Sequence, residues 1–200
     1  MNLEQKKSIR NNYRHKPTTK IWTNILNNKL SKPTMVFHWL TAVFFIATLA
    51  IGLYLGDMAN GPDKNELRNL HKSLGVLVMF AASIRLVWRL KEGMIGSIKQ
   101  LPAWQEKSAH FVHWFLLLAT IMMPLSGITM SIGGGRSVEF FGISLISAGE
   151  KIEWLQQISS TIHFSSVNIV IAILVLHVLA ALKHQLVDKD GTLSRMLGRS

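Results

Sequence analysis

Eight histidines and no cysteine make imidazole the one soft metal ligand this chain offers in quantity. The lack of thiols excludes disulfide scaffolds, zinc ribbons and thiolate-held iron–sulfur clusters. His38, His71, His110, His113, His163 and His177 all lie in or beside uncharged apolar stretches. An ionisable ring is costly there unless it has a partner or a role. His163 and His177 are 14 residues apart on one apolar stretch. At about 100° per residue that is about 40° short of four full turns, so the two rings share a helix face. Their depths differ by about 21 Å, which puts one in each half of a bilayer.

The elements that must position these rings are four spanning helices. Pro33 to Gly56 is free of charge, and Met35–Leu55 is about 21 residues long, enough to cross the hydrocarbon core. A second span runs from about Asn69 to Leu90, with Lys72, Arg85 and Arg89 near its ends, where long cations can snorkel to the interfaces. The third covers Ser108 to about Met130, and the fourth covers Trp154 to Leu182. Only 16% of the residues are charged, 48% are hydrophobic and the mean hydropathy is +0.26, which sets the chain apart from soluble domains. The apolar region begins too far from the start for a cleaved secretory signal.

The net charge of +11 is explained by topology. Eight Lys and Arg precede the first span, five lie between spans two and three (Arg85, Arg89, Lys91, Lys99, Lys107), and four follow span four. The opposite side holds five: Lys64, Arg68, Lys72, Arg136 and Lys151. Cytoplasmic loops collect positive charge, so the N and C termini are expected in the cytoplasm. Basic residues beside apolar spans serve orientation and anionic lipid, and no nucleic-acid partner is expected. The expected organisation is a basic polar tail over residues 1–34, an all-α four-helix transmembrane bundle over 35–190, and a short tail over 191–200. In the first tail Ile21, Trp22, Ile25 and Leu26 can form a short apolar face on the membrane. The Gly-rich loop from Ser131 to Glu153 is expected to cap the outer mouth.

This topology supplies partners for the two rings of span four. Span one enters from the cytoplasm and carries His38 in the inner half, level with His177. Span two begins outside, which brings His71 level with His163. Two histidine pairs, stacked at two depths and drawn from different helices, are the arrangement that clamps two haems inside a four-helix bundle. His110 and His113, at the start of span three, are rivals of His38 as partners of His177. One of them is also expected to touch a haem propionate or a quinone head. His184 lies seven residues beyond His177 on nearly the same helix face, and with Arg85 it can frame a polar site at the cytoplasmic boundary. Gly52, Gly75 and Gly127 are places where a porphyrin edge or another backbone can come close. Pro124 is expected to kink span three.

The pieces that carry chemistry also resemble a known family. Phe37-His38-Trp39-Leu40 opens span one and Leu70-His71-Lys72-Ser73-Leu74-Gly75 opens span two, which Arg85-Leu86-Val87-Trp88-Arg89-Leu90 closes. Ala109-His110-Phe111-Val112-His113 opens span three, and the His163 to His177 spacing is followed by Ala180-Ala181-Leu182-Lys183-His184. In this order they resemble the bacterial four-helix cytochrome b561 proteins over about residues 33–197. The departures are the longer N-terminal tail and Ile162, where the family often has Trp. The resemblance implies a multi-pass protein of the bacterial inner membrane with two haem b groups. Its iron ligands would correspond to His38 and His177 for the inner haem and to His71 and His163 for the outer one. It also implies electron transfer linked to ubiquinone, with superoxide as one donor assigned within the group.

Two functions follow as expectations. The first is an oxidoreductase that carries single electrons from a small periplasmic donor or a redox partner protein to ubiquinone. The second is a haem-bearing anchor subunit that links a partner dehydrogenase or hydrogenase to quinone. The outer cations can attract a small anion, although Asp57, Asp63, Glu66, Glu139, Glu150 and Glu153 lie among them in sequence. A proton or metal transporter is disfavoured, because no carboxylate falls inside a span.

Overall fold

The computed structural model describes residues 29–93, 95, 96, 98 and 101–199. The expected apolar face at Ile21–Leu26, His15 and Lys99 lie outside the described residues. Four long helices form the body: α1 (Lys32–Asp57), α2 (Pro62–Glu92), α3 (Ala103–Gly133) and α4 (Glu153–Leu186). A hairpin of β1 (Val138–Phe140) and β2 (Ile143–Ile146) lies between α3 and α4, and a short α5 (Thr192–Met196) follows α4. All four long helices are apolar and long enough to cross a membrane.

Local chemistry sets the helix ends. Ser31 caps α1, its hydroxyl accepting from the Thr34 N–H at 3.3 Å. Pro62 opens α2 with Asp63 in the first turn, and Arg89 and Lys91 occupy the last turn, in accord with the helix dipole. Gly93 ends α2 at φ 83°, its N–H donating to the Arg89 carbonyl at 2.9 Å. The helix α3 continues through Pro124. At one end of the bundle, here the base, Thr34 and Trp88 both donate to the Glu92 carboxylate, tying α1 to α2.

Backbones come close where residues are small. Ser73, Gly75, Ala81 and Ala82 are buried on α2, and Ala119, Thr120 and Ser126 are buried on α3. Close approach of small residues drives helix association where lipid offers no hydrophobic contrast. The shared core is accordingly slight: Phe45, Val78, Ala119, Met123 and Val170. Packing runs α1 on α2, α2 on α3 and α3 on α4; among the described residues no comparable backbone approach joins α1 or α2 to α4. Space is therefore left between α4 and the first two helices.

The hairpin closes the other end. Phe141 and Gly142 turn at φ 48° and 86°, the doubly positive pattern that suits a two-residue hairpin turn. Phe141 N–H donates to Ser73 Oγ at 2.9 Å, and Lys72 Nζ donates to the Ser137 carbonyl at 3.2 Å. The loop expected from Ser131 is shorter, because α3 continues to Gly133; residues 134–152 pack on α2 next to His71.

Gly133 lets the start of α4 lie on the end of α3. A Cβ built there would fall 2.4 Å from the Gln156 backbone nitrogen and 2.8 Å from its Cα. Backbone cannot swing aside as a side chain can. Gly133→Ala is expected to destabilise the bundle by about 1–3 kcal/mol, the usual cost of overpacking. The check is thermal unfolding in detergent beside Gly56→Ala, whose Cβ meets nothing within 4 Å; equal midpoints would contradict the close approach.

Candidate functional site

At the hairpin end, α2 carries His71 and α4 carries His163, with ring centres 6.3 Å apart and planes at 90°. His71 Nδ1 donates to the Thr48 carbonyl of α1 at 3.0 Å. His163 Nδ1 donates to the Met123 carbonyl at 3.1 Å and to Ser126 Oγ at 2.9 Å. A carbonyl only accepts, so Nδ1 holds the proton in both rings and each Nε2 keeps its lone pair. The glycines are placed against these rings. A Cβ on Gly52 would sit 2.8 Å from His71 Cε1, and one on Gly127 would sit 3.3 Å from His163 Cε1.

Both rings line a cavity of about 710 Å³. Lys64, Arg68, Lys72 and Arg136 line it too, and among the described residues no carboxylate does. The acidic residues interspersed in sequence at this end thus leave the cavity wall cationic. The remaining wall is mostly apolar and includes Phe45, Leu49, Val78 and the buried hairpin residue Val138.

At the base, α1 carries His38 and α4 carries His177, again with ring centres 6.3 Å apart, planes at 60°. His113 of α3 packs on His177 at 5.4 Å. Arg85 Nη2 donates to His38 Nδ1 at 3.0 Å. Arg85 therefore meets the histidine pair rather than His184. Instead His184 Nδ1 lies 2.6 Å from Asp190 Oδ2 and 3.2 Å from Asp188 Oδ2. All four paired histidines are half-buried.

Sequence reasoning missed the partners of these rings. The Thr48 and Met123 carbonyls carry no side-chain signal, and a serine such as Ser126 is an ordinary small residue in a membrane helix. Asp190 is different, because an Asp followed by Gly just after a helix that ends in His is a legible turn that can fold back on it.

Four helices long and apolar enough to cross a membrane, with imidazoles from different helices gathered at two levels between them, define a helical integral membrane protein. The chain belongs to the prokaryotic cytochrome b561 family, whose model matches residues 29–199. It is 31% identical over 170 residues to cytochrome b561 homolog 2 of Escherichia coli K12, covering 82% of this chain and 88% of that protein. It is 29% identical over 173 residues to cytochrome b561 homolog 1 of the same organism, covering 86% and 98%. A Yersinia pestis protein described as a probable superoxide oxidase, CybB, is 26% identical over 172 residues, covering 86% and 97%. The chain is thus a multi-pass protein of the bacterial inner membrane that transfers electrons on haem b.

Proposed function

We propose that the chain binds two haems, one between His71 and His163 and one between His38 and His177, and passes single electrons from a small anionic donor to ubiquinone. The observation that carries this reading is the common ring separation of 6.3 Å. Two metal–imidazole bonds of about 2.0–2.1 Å, plus about 1.15 Å from each nitrogen to its ring centre, would place the centres of two rings that hold one metal ion about 6.3–6.5 Å apart. The His113–His177 separation of 5.4 Å is too short for that, which favours His38 over His113 as the partner of His177. The glycines against His71 and His163 leave the room that a planar group needs.

When bound, haem b supplies one-electron chemistry at its iron. The protein does the rest. The Thr48 and Met123 carbonyls hold the imidazole protons on Nδ1 and raise the basicity of Nε2 toward a metal. Arg85 donates to His38 Nδ1, so the ring's neutral form here carries its proton on Nε2; a haem held by His38 would need the Nδ1–H form instead. With the termini in the cytoplasm, as the distribution of positive charge suggests, the cationic cavity faces the periplasm. Its four cations exceed the charge of two propionates and can draw in a further anion. The likeness to a probable superoxide oxidase supports superoxide as that anion. Quinone would accept electrons at the base near His184 and Arg85, with His113 beside the inner haem.

The test is reduction of the purified protein by a superoxide source, followed through haem absorbance, and reoxidation by a short-chain ubiquinone. Full reduction by superoxide and rapid reoxidation are expected; no reduction would overturn the donor assignment. Arg68→Gln with Arg136→Gln is expected to slow reduction by superoxide about tenfold and to flatten its dependence on ionic strength. Reduction by a neutral donor should be unaffected, and equal slowing with both donors would contradict electrostatic attraction.

A second reading, a haem-bearing anchor for a partner dehydrogenase or hydrogenase, draws support from the hairpin. Phe141, Ile143, Leu145 and Ile146 are all exposed there. Copurification of a second subunit with the native protein would favour it.

A further inference from the structure

His184 stands in the last turn of α4, and the chain turns back on it at once. Lys189 at φ 46° and Gly191 at φ 81° make the reversal, and the Asp190 N–H donates to the His184 carbonyl at 3.2 Å. The Asp190 side chain is only 5% exposed. Its Oδ1 accepts from the Thr192 N–H at 2.9 Å, and its Oδ2 accepts from His184 Nδ1 at 2.6 Å. Burial opposes ionisation of this carboxyl, but the hydrogen bonds from Thr192 and His184 outweigh it and hold Asp190 below the ordinary carboxylate range. The second carboxylate, Asp188, lies farther from the ring at 3.2 Å and is held by Lys183 at 2.6 Å.

Both oxygens of Asp190 are thus committed, one to the start of α5 and one to the imidazole. A carboxylate only accepts, so Nδ1 must carry a proton whether the ring is neutral or charged. The ring is still 25% exposed. Resting on the proposed quinone site at the base, we infer that Asp190 is a positioning residue that holds a proton on His184 Nδ1 and so leaves Nε2 as the atom that takes up a proton from water and passes it to quinone. Conversion of quinone to quinol takes two electrons, which arrive singly through the haems, and two protons. With Nδ1 already protonated, Nε2 first takes a proton from water to give the imidazolium; the Nε2–H bond then breaks as an O–H bond forms on the reduced quinone, and a second proton taken up from water at Nε2 and passed on in the same way completes the quinol. Asp190 stays ionised throughout and stabilises the imidazolium.

The experiment uses the haem-loaded protein labelled with ¹⁵N-histidine, read by solid-state NMR at alkaline pH, where imidazoles are neutral. Loss of a signal in His184→Gln assigns the ring. Reoxidation of the reduced protein by a short-chain ubiquinone is timed in parallel. Wild type should show the Nδ1–H tautomer. Asp190→Asn offers an amide N–H to Nδ1 and should convert the ring to the Nε2–H tautomer, slowing reoxidation at least about tenfold. Asp190→Glu should keep the tautomer and most of the rate. An unchanged tautomer in Asp190→Asn, or an unchanged rate where His184→Gln is slow, overturns the positioning role alone. A wild-type rate in His184→Gln overturns the quinone site itself.

Discussion

His71→Ala and His163→Ala are each expected to remove one haem, and the same one. Haem content should fall from two to one per chain in both variants, and the double variant should lose no more than either single one. The reason is geometric. The two rings stand 6.3 Å apart on different helices, α2 and α4, and among the described residues no other histidine ring is paired with either of them. His38→Ala and His177→Ala should together define the other haem. Absorbance spectra of the reduced variants separate the two classes. If His38→Ala and His71→Ala abolished the same component, or if His113→Ala behaved like His38→Ala, the pairing would be wrong.

Gly52→Ala should strike the hairpin-end haem alone. The added Cβ would lie 2.8 Å from His71 Cε1 and 3.4 Å from Nδ1. A ring at the tip of a free side chain would move away at little cost, but Nδ1 is tied to the Thr48 carbonyl one turn earlier on the same helix α1. Either the ring tilts and loses that bond or α1 shifts outward. Overpacking of this kind costs about 1–3 kcal/mol, which corresponds to binding weaker by about one to two orders of magnitude. Gly127→Ala makes a milder contact, at 3.3 Å from His163 Cε1. It should keep both haems and shift only the midpoint potential of the hairpin-end one. Haem quantification and redox titration of the two variants check this; an unchanged titration in Gly52→Ala would show that His71 is not pressed against α1.

Much of this arrangement was legible in the sequence, because a membrane restricts what a chain can do. Four apolar stretches gave four helices, and the fixed rise per residue made depth readable from numbering. That was enough to bring His38 to His177 and His71 to His163. Helix ends were less legible. The second span looked as if it began near Asn69, but α2 starts at Pro62, since Lys64 and Arg68 continue the helix beyond the apolar stretch. The hairpin is hard to read as strands because Val138-Glu139-Phe140 and Ile143-Ser144-Leu145 alternate over only three residues each, too short a run to mark a strand. Spacing lets Arg85 and His184 frame a polar site at the base, but it does not show that the Arg85 guanidinium donates to His38. Side-chain direction along a long arginine is settled by its neighbours and not by spacing. Asp190 lies beyond the apolar stretch, where no hydrophobic pattern ties it to His184.

The most direct test of the account is the number and coordination of haems in the wild-type protein. Haem is quantified against protein after purification in detergent, and the oxidised sample is examined by electron paramagnetic resonance. Two haems per chain, both low-spin with two imidazole ligands, are the predicted result. One haem per chain, or a high-spin signal from an iron that lacks its second imidazole, would contradict it.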